Sequence, residues 1–227
     1  MTFLFHLPTK KWAIIFLTTL SLTAGTFVHA YNVKYSLNDT QNFAHDDSDI
    51  VRNIIAHLIL GRCYIHADCR FRDGKTLAKD TQKGLEHLEK VANQSYATDS
   101  EYEKRFQQDV RTIFQYVLAD CYYNGKYGVQ QDINKAHHYA EIAANNNHPS
   151  AKLLLAKMYF KKDIETDPSD ISIPFRYLHE ACNVSVLEAC EIEEELKKAC
   201  NDGMQEACEP KEEAYMEKNK HSNNISE

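Results

Sequence analysis

LADCYYNGKYGVQQDINKAHHYAEIAANNNHPSAKLLLAKMY, from Leu118 to Tyr159, is the stretch whose reading decides the fold. It opens and closes on one pentad, Leu, a small residue, two variable positions and Tyr: Leu118-Ala-Asp-Cys-Tyr122 and Leu155-Ala-Lys-Met-Tyr159. Between them Asp132-Ile-Asn-Lys-Ala136 leads into Tyr139, Ile142 and Ala143, a cap followed by apolar positions at helical spacing. Asn145-Asn-Asn147-His-Pro149 stops that helix. Asparagine tolerates the left-handed turn that glycine often fills, and proline suits the first turn of the next helix.

Working outward, the pentad recurs at Leu60-Gly-Arg-Cys-Tyr64. After each pentad comes a polar loop, then an Asp that opens a second apolar-periodic segment: Asp80, Asp132 and Asp170. Twelve residues beyond each Asp stands a small residue, Ala92, Ala144 or Cys182. Each unit therefore reads as helix, loop and second helix. In the first helix Leu and Tyr share one face, and the small residue after Leu lets the partner helix approach. The spacing is unequal, 58 residues from Leu60 to Leu118 against 37 from Leu118 to Leu155. The excess, around Asn93 to Phe106, predicts a loop plus an N-terminal extension of the second unit's first helix. Ser100-x-x-Glu103 is a capping-box signal for that helix, which should run to about Tyr123.

The pattern resembles the Sel-one-like repeat, a relative of the tetratricopeptide repeat with two antiparallel helices per unit. The resemblance is carried by the Leu-Ala-x-x-Tyr, the Gly125/Gly128 loop, the Asp-x-x-Lys-Ala and the closing Ala-Ala of the quoted stretch, and covers about residues 50–208. The first unit departs from it, with Gly84 where the family prefers Ala. The implied fold is all-α, a superhelical solenoid of antiparallel helix pairs over residues 50–217. Scarce glycine and proline (7 and 5) fit that class. Residues 31–49 are expected to be a linker, and the polar tail 218–227 lacks the apolar content to order itself.

The N-terminus sets the compartment. Lys10 and Lys11 precede an uncharged apolar run, Trp12 to Val28, and Val28-His29-Ala30 supplies small residues for cleavage. That order predicts a secretory signal peptide over 1–30, with an uncleaved anchor as the alternative. No cysteine in 1–30 offers a lipidation site. Loss of two lysines with the leader takes the formal charge from −7 to −9, which argues against nucleic acid or an anionic membrane surface as partner. The expected location is periplasmic or secreted, with no membrane insertion after cleavage.

Seven cysteines in an exported chain imply disulfides. Near the C-terminus ACNVSVLEAC and ACNDGMQEAC repeat one frame, Cys182 with Cys190 and Cys200 with Cys208. On one continuous helix, eight residues would separate each pair by about 12 Å, beyond the reach of a disulfide. Each pair can bond only if the chain reverses, at Asn183-Val-Ser185 and at Asn201-Asp-Gly203. Zinc would want cysteines two to four residues apart, and redox chemistry would want C-x-x-C; neither spacing occurs. The frame looks like that of the Helicobacter cysteine-rich proteins, a secreted branch of Sel-one-like repeats with a C-x7-C staple per unit. The chain departs from that branch in its first half, where Cys63 and Cys69 are six apart; a bridge between them leaves Cys121 odd. Since Cys190 to Cys200 leaves room for a single short helix, the last unit should be truncated.

Some members of that branch bind or slowly hydrolyse β-lactams, so the resemblance also implies a cell-envelope hydrolase or binder as an alternative function. Ser-x-x-Lys, Ser-Asp-Asn and Lys-Thr-Gly are missing, and Thr76-Leu-Ala-Lys79 is a weak substitute, so no catalytic residue is assigned. His137-His138 with Glu141 lacks the His-Glu-x-x-His arrangement and reads as a solvated helix face, so neither metal nor cofactor is expected. Glu191-Ile-Glu-Glu-Glu195 with Lys197-Lys198 reads as an exposed helix laced with ion pairs. Tyr64, Tyr122 and Tyr159 read as packing between helices. Asn38, Asn93, Asn183 and Asn224 are glycosylation acceptors if the source is eukaryotic. Stacked helix pairs make a surface for a protein or peptide partner in the cell envelope, and the variable first-helix positions are the candidate face: His57, Arg62, Gln115, Asp120, Lys152 and Lys157.

Overall fold

In a computed structural model that describes residues 31–164, 172–204 and 207–208, the chain is a succession of antiparallel helices. Eight helices occur among the described residues: α1 Leu37–His45, α2 Ile50–His66, α3 Thr81–Asn93, α4 Glu101–Asn124, α5 Ile133–Asn145, α6 Pro149–Phe160, α7 Ser172–Asn183 and α8 Leu187–Asn201. Two-residue strands β1 Tyr31–Asn32 and β2 Cys69–Arg70 pair in parallel. The expected leader, the Asp170 cap and the tail 218–227 lie outside the described residues. No described helix is long and apolar enough to cross a membrane.

The chain divides into two compact units. One runs to His87 and takes in Gln94–Val110; the other comprises Leu88–Asn93 and the chain from Arg111. In the first unit the segment 31–49 is not a linker. Ser36 accepts a hydrogen bond from the Asp39 N–H (3.0 Å) and starts α1. Val33 and Ala44 are buried, with Tyr35, Leu37 and Phe43 packed beside them, against Ala56, Ile59, Leu60 and Cys63 of α2. A helix this short has little stability alone, so it exists by docking on α2. Asn53, wholly buried, donates from its amide to the carbonyls of Ala44 (3.3 Å) and Asp46 (3.2 Å), fixing the turn into α2. Ala67, at φ 54°, ends α2, and a Cys63–Cys69 disulfide with Cα atoms 5.3 Å apart ties β2 back to it.

Asp80 caps α3 as expected, accepting from the Lys83 N–H at 3.0 Å. Gly84 then sits so close to α2 that an added Cβ would lie 2.5 Å from Ile65 Cγ1 and 2.9 Å from the Gly61 carbonyl oxygen. Two small residues meet here, which explains the departure from alanine. The extra residues are the loop and helix extension that the spacing predicts. Gln107 holds the loop, accepting from the Tyr96 N–H (2.8 Å) and donating to its carbonyl (3.2 Å). Only half of the capping box forms. Ser100 Oγ accepts from the Glu103 N–H (3.4 Å), but the Glu103 carboxylate takes the Thr98 hydroxyl (2.5 Å) and Ser100 N–H turns to Thr98 Oγ1 (3.2 Å).

In the second unit α5 packs on α6, α6 on α7 and α7 on α8. Asp132 caps α5 through the Lys135 N–H (2.9 Å), and Pro149 stands at the start of α6. The core runs through Leu153 and Ala156 of α6, Leu178 and Ala181 of α7 and Ala189 of α8. Three helix-to-helix turns share one geometry, which Lys162 (φ 59°) repeats at the end of α6. Asn147, Ser185 and Gly203 all have positive φ, at 62°, 68° and 96°. Their N–H groups bond the carbonyls of Ala144, Cys182 and Cys200, and the next N–H of each bonds Ala143, Ala181 and Ala199, a Schellman pattern. These reversals bring Cys182 to Cys190 and Cys200 to Cys208, with Cα separations of 4.7 and 4.8 Å. The staples form where the frame requires, at the C-terminal end of the fold.

Candidate functional site

Helices α4, α6 and α8 are the first helices of successive pairs, and in the second unit side chains from all three line a groove of about 370 Å³. From α4 come Tyr116, Asp120 and Tyr123, one stripe at i, i+4 and i+7; from α6 come Ser150, Leu153, Leu154 and Lys157, again on helical spacing, with Lys161 just past its end. Val186 and Glu188, from the stapled turn and the start of α8, complete the wall. Leu153 and Leu154 are almost fully buried, so the groove floor is apolar and its rim is charged.

The rim charges are paired within the chain. Lys126 meets Asp120 at 2.5 Å and Lys157 meets Glu188 at 2.5 Å, both partly exposed and therefore worth little to stability. Lys161 lies over the Tyr123 ring at 5.4 Å, and the Tyr123 hydroxyl donates to Asp163 at 2.7 Å. Burial, then that hydrogen bond, pushes the Tyr123 phenol up. Tyr116 stacks on His148 with ring centroids 4.6 Å apart. Burial alone holds His148 down to about 4, so at neutral pH its imidazole is uncharged.

Of the six residues predicted to form a recognition face, the groove brings together Asp120 and Lys157. Lys152, on α6, turns to Glu180 (2.6 Å) and Asn147 (3.0 Å). Gln115 faces inward, 7 % exposed, and donates to the Ala92 carbonyl at 2.9 Å. His57 and Arg62 belong to the first unit. His57 is 3 % exposed, its Nδ1 2.8 Å from His87 Nδ1, and Arg62 makes a two-pronged ion pair with Asp68 (2.8 Å to each oxygen). His57 and Gln115 are thus interior residues, because α2 and α4 carry polar groups on faces that pack. Sequence reasoning missed Tyr116, Leu153 and Leu154. Helical spacing from Asp120 and Lys157 would have found them, since i−4 and i−3 positions share a face.

Among the described residues no group of three or more His, Cys, Asp or Glu side chains could hold a metal ion, and His137 instead meets Glu141 at 3.7 Å along one helix. Tyr122 lies parallel to Tyr139, centroids 6.3 Å apart, while Tyr64 stacks on His87 and Tyr159 stands edge-on to His137. These tyrosines pack between helices, as the repeat predicts. Cys121 is buried and unbridged, and burial pushes its thiol up to about 12, which leaves it a poor nucleophile.

No curated protein and no solved structure matches the chain. Residues 55–96 and 113–148 match the family model of the Sel1 repeat. The first match falls on α2 and α3 and the second on α4 and α5, each a helix pair, and together they support a Sel1-like repeat protein.

Proposed function

We propose that this chain is an exported protein-interaction scaffold whose second unit receives a segment of a partner protein in the groove between α4, α6 and α8. The observation that carries the reading is the groove itself: three successive first helices supply an apolar floor at Leu153 and Leu154 and a rim of exchangeable ion pairs at Asp120–Lys126 and Lys157–Glu188. A partner side chain entering such a rim trades one ion pair for another, so charge sets register and encounter rate while apolar burial supplies affinity. Export is supported by the Lys10-Lys11 and Trp12 to Val28 pattern of the N-terminus, and three disulfides suit an oxidising compartment. The paired C-x7-C staples favour kinship with the secreted cysteine-rich branch, and a periplasmic address follows from it.

Immobilised mature protein and a Lys126→Glu/Lys157→Glu variant, exposed to the same envelope extract, test the reading. A partner retained by the wild type and lost at least tenfold by the variant, with the variant's melting temperature unchanged, is expected. Equal retention by both would exclude the groove as the site.

A further inference from the structure

We propose that the Cys63–Cys69 bridge is a redox latch: the N-terminal segment 31–45 docks on α2 only after these two thiols are oxidised. A ladder of polar ties runs from this segment to one short loop, residues 69–73. In it β1 pairs with β2, Tyr31 beside Cys69 and Asn32 beside Arg70. The Val33 N–H donates to the Arg70 carbonyl (2.8 Å), and the Arg72 N–H donates back to the Tyr35 carbonyl (3.0 Å). At the start of α1 the Leu37 N–H donates to Asp73 Oδ1 (3.4 Å), and the Arg72 guanidinium pairs with Asp39 (3.4 Å). The loop is a small platform: the Phe71 N–H bonds the Lys75 carbonyl (2.9 Å), and the Gly74 N–H closes onto the Phe71 carbonyl (2.8 Å). Three things fix it to α2, namely the bridge, the buried Phe71 side chain and the Arg62–Asp68 ion pair. The ion pair is partly exposed and weak, so sulfur is the strong link.

Two-residue strands and a nine-residue helix are marginal in water, so segment 31–45 depends on a platform already in place. With the bridge open the loop regains its freedom, and every tie of the ladder must be made against chain entropy. Undocking uncovers the face of α2 built from Ala56, Ile59, Leu60 and Cys63, so the state of the bridge governs an apolar surface. The α2–α3 contact does not pass through the latch: the Asp80 N–H bonds the Tyr64 carbonyl (2.9 Å), and Gly84 lies against Gly61. The other two bridges differ in kind. They close turns whose backbone bonds also form in the sulfur-free frame at Ala144, so they reinforce a geometry rather than create one. Cys63 is 0 % and Cys69 2 % exposed, so docking covers the sulfurs once the latch is set. Setting it takes a disulfide oxidant such as oxidised glutathione. One cysteine thiolate displaces a thiol from the oxidant to give a mixed disulfide, and the second cysteine displaces the other. The two cysteines give up two electrons and two protons, and the oxidant leaves as two thiols.

The test is amide hydrogen exchange, read by mass spectrometry on the full mature protein and on two variants, Cys63→Ala/Cys69→Ala and Cys200→Ala/Cys208→Ala. Peptides from 31–45 are expected to exchange at least tenfold faster in the first variant, while those from α3 and from α5 to α7 keep wild-type rates. The second variant should leave 31–45 as it is in the wild type. Wild-type rates at 31–45 in Cys63→Ala/Cys69→Ala would overturn the latch. So would equal acceleration across 31–45, α2 and α3, which would make the bridge a general brace. Oxidative refolding of the wild-type chain needs no substitution. After oxidised glutathione is added, samples quenched by alkylation should show protection at 31–45 rising with the Cys63–Cys69 bridge; protection that precedes the bridge would overturn the proposal. The groove belongs to the second unit, so Cys63→Ala/Cys69→Ala should retain the scaffold's partner, and failure of either reading is separable from failure of the other.

Discussion

Single residues in this fold show why identity matters where spacing alone is silent. Gly84 is the clearest case, because a methyl group there meets the Gly61 carbonyl and Ile65 at less than van der Waals distance. Gly84→Ala should lower stability by about 1–3 kcal/mol, the usual range for overpacking, despite alanine's better helix propensity. A rise in denaturation midpoint would refute the close approach of α2 and α3. His148 is the second case. Its imidazole is buried against Tyr116 and titrates near 4 when folded, against 6.5 when unfolded. Between those values the unfolded chain binds more protons, so stability is complete above about 6.5 and is lost as the pH falls toward 4, by on the order of 2–3 kcal/mol. Val186 occupies the same place in the next turn, so His148→Val should fold and flatten that slope. Paired chemical melts at pH 7 and pH 4.5 measure it; parallel slopes for the two proteins would dismiss His148 as the cause.

At the scale of elements, the helix-to-helix turn is a module used three times with two kinds of fastening. The frames 143–152, 181–190 and 199–208 share Ala, Asn, a residue of positive φ and a second Ala at matching positions. Two frames close with sulfur. The first has Ala144 and Lys152 where the others have cysteines, and Lys152 reaches Glu180 and Asn147 instead. An ion pair and a hydrogen bond replace the covalent bond in the frame whose backbone bonds are otherwise alike. Ala144→Cys/Lys152→Cys should therefore oxidise spontaneously and raise stability by about 2 kcal/mol under non-reducing conditions, an increment that vanishes with reductant. Two free thiols in the folded double variant would show that the third turn does not share the stapled geometry. Helix caps were largely readable, as Asp80 and Asp132 demonstrate, whereas the reciprocal half of the Ser100 box was not. Thr98, two residues upstream, captured both groups, and such competition depends on where a loop hydroxyl comes to rest.

For the molecule as a whole, three short-range disulfides and one buried thiol define its redox character. Each bridge closes a loop of six or eight residues, so none spans a long stretch of chain. Such staples contribute about 2–3 kcal/mol apiece, and each unit keeps an apolar core of its own. Non-reducing peptide mapping should return Cys63–Cys69, Cys182–Cys190 and Cys200–Cys208. Alkylation should find no reactive thiol in the native protein and one after unfolding without reductant, namely Cys121. Native labelling of Cys121, or any other pairing, would contradict the arrangement.

The sequence by itself determined the helical repeat, its caps, its turn positions and the need for a chain reversal within each C-x7-C frame. These are local properties: 3.6-residue periodicity, cap chemistry and the short reach of a disulfide all act over a few residues. Tertiary structure alone decided that residues 37–45 form a docked helix, that His57 and Gln115 face inward, and that Asp120 and Lys157 share a groove with Tyr116 and two leucines. Those outcomes depend on which helix lies against which polar or apolar face. A residue's own neighbours in sequence carry no record of that choice, because burial is a property of the pair that packs.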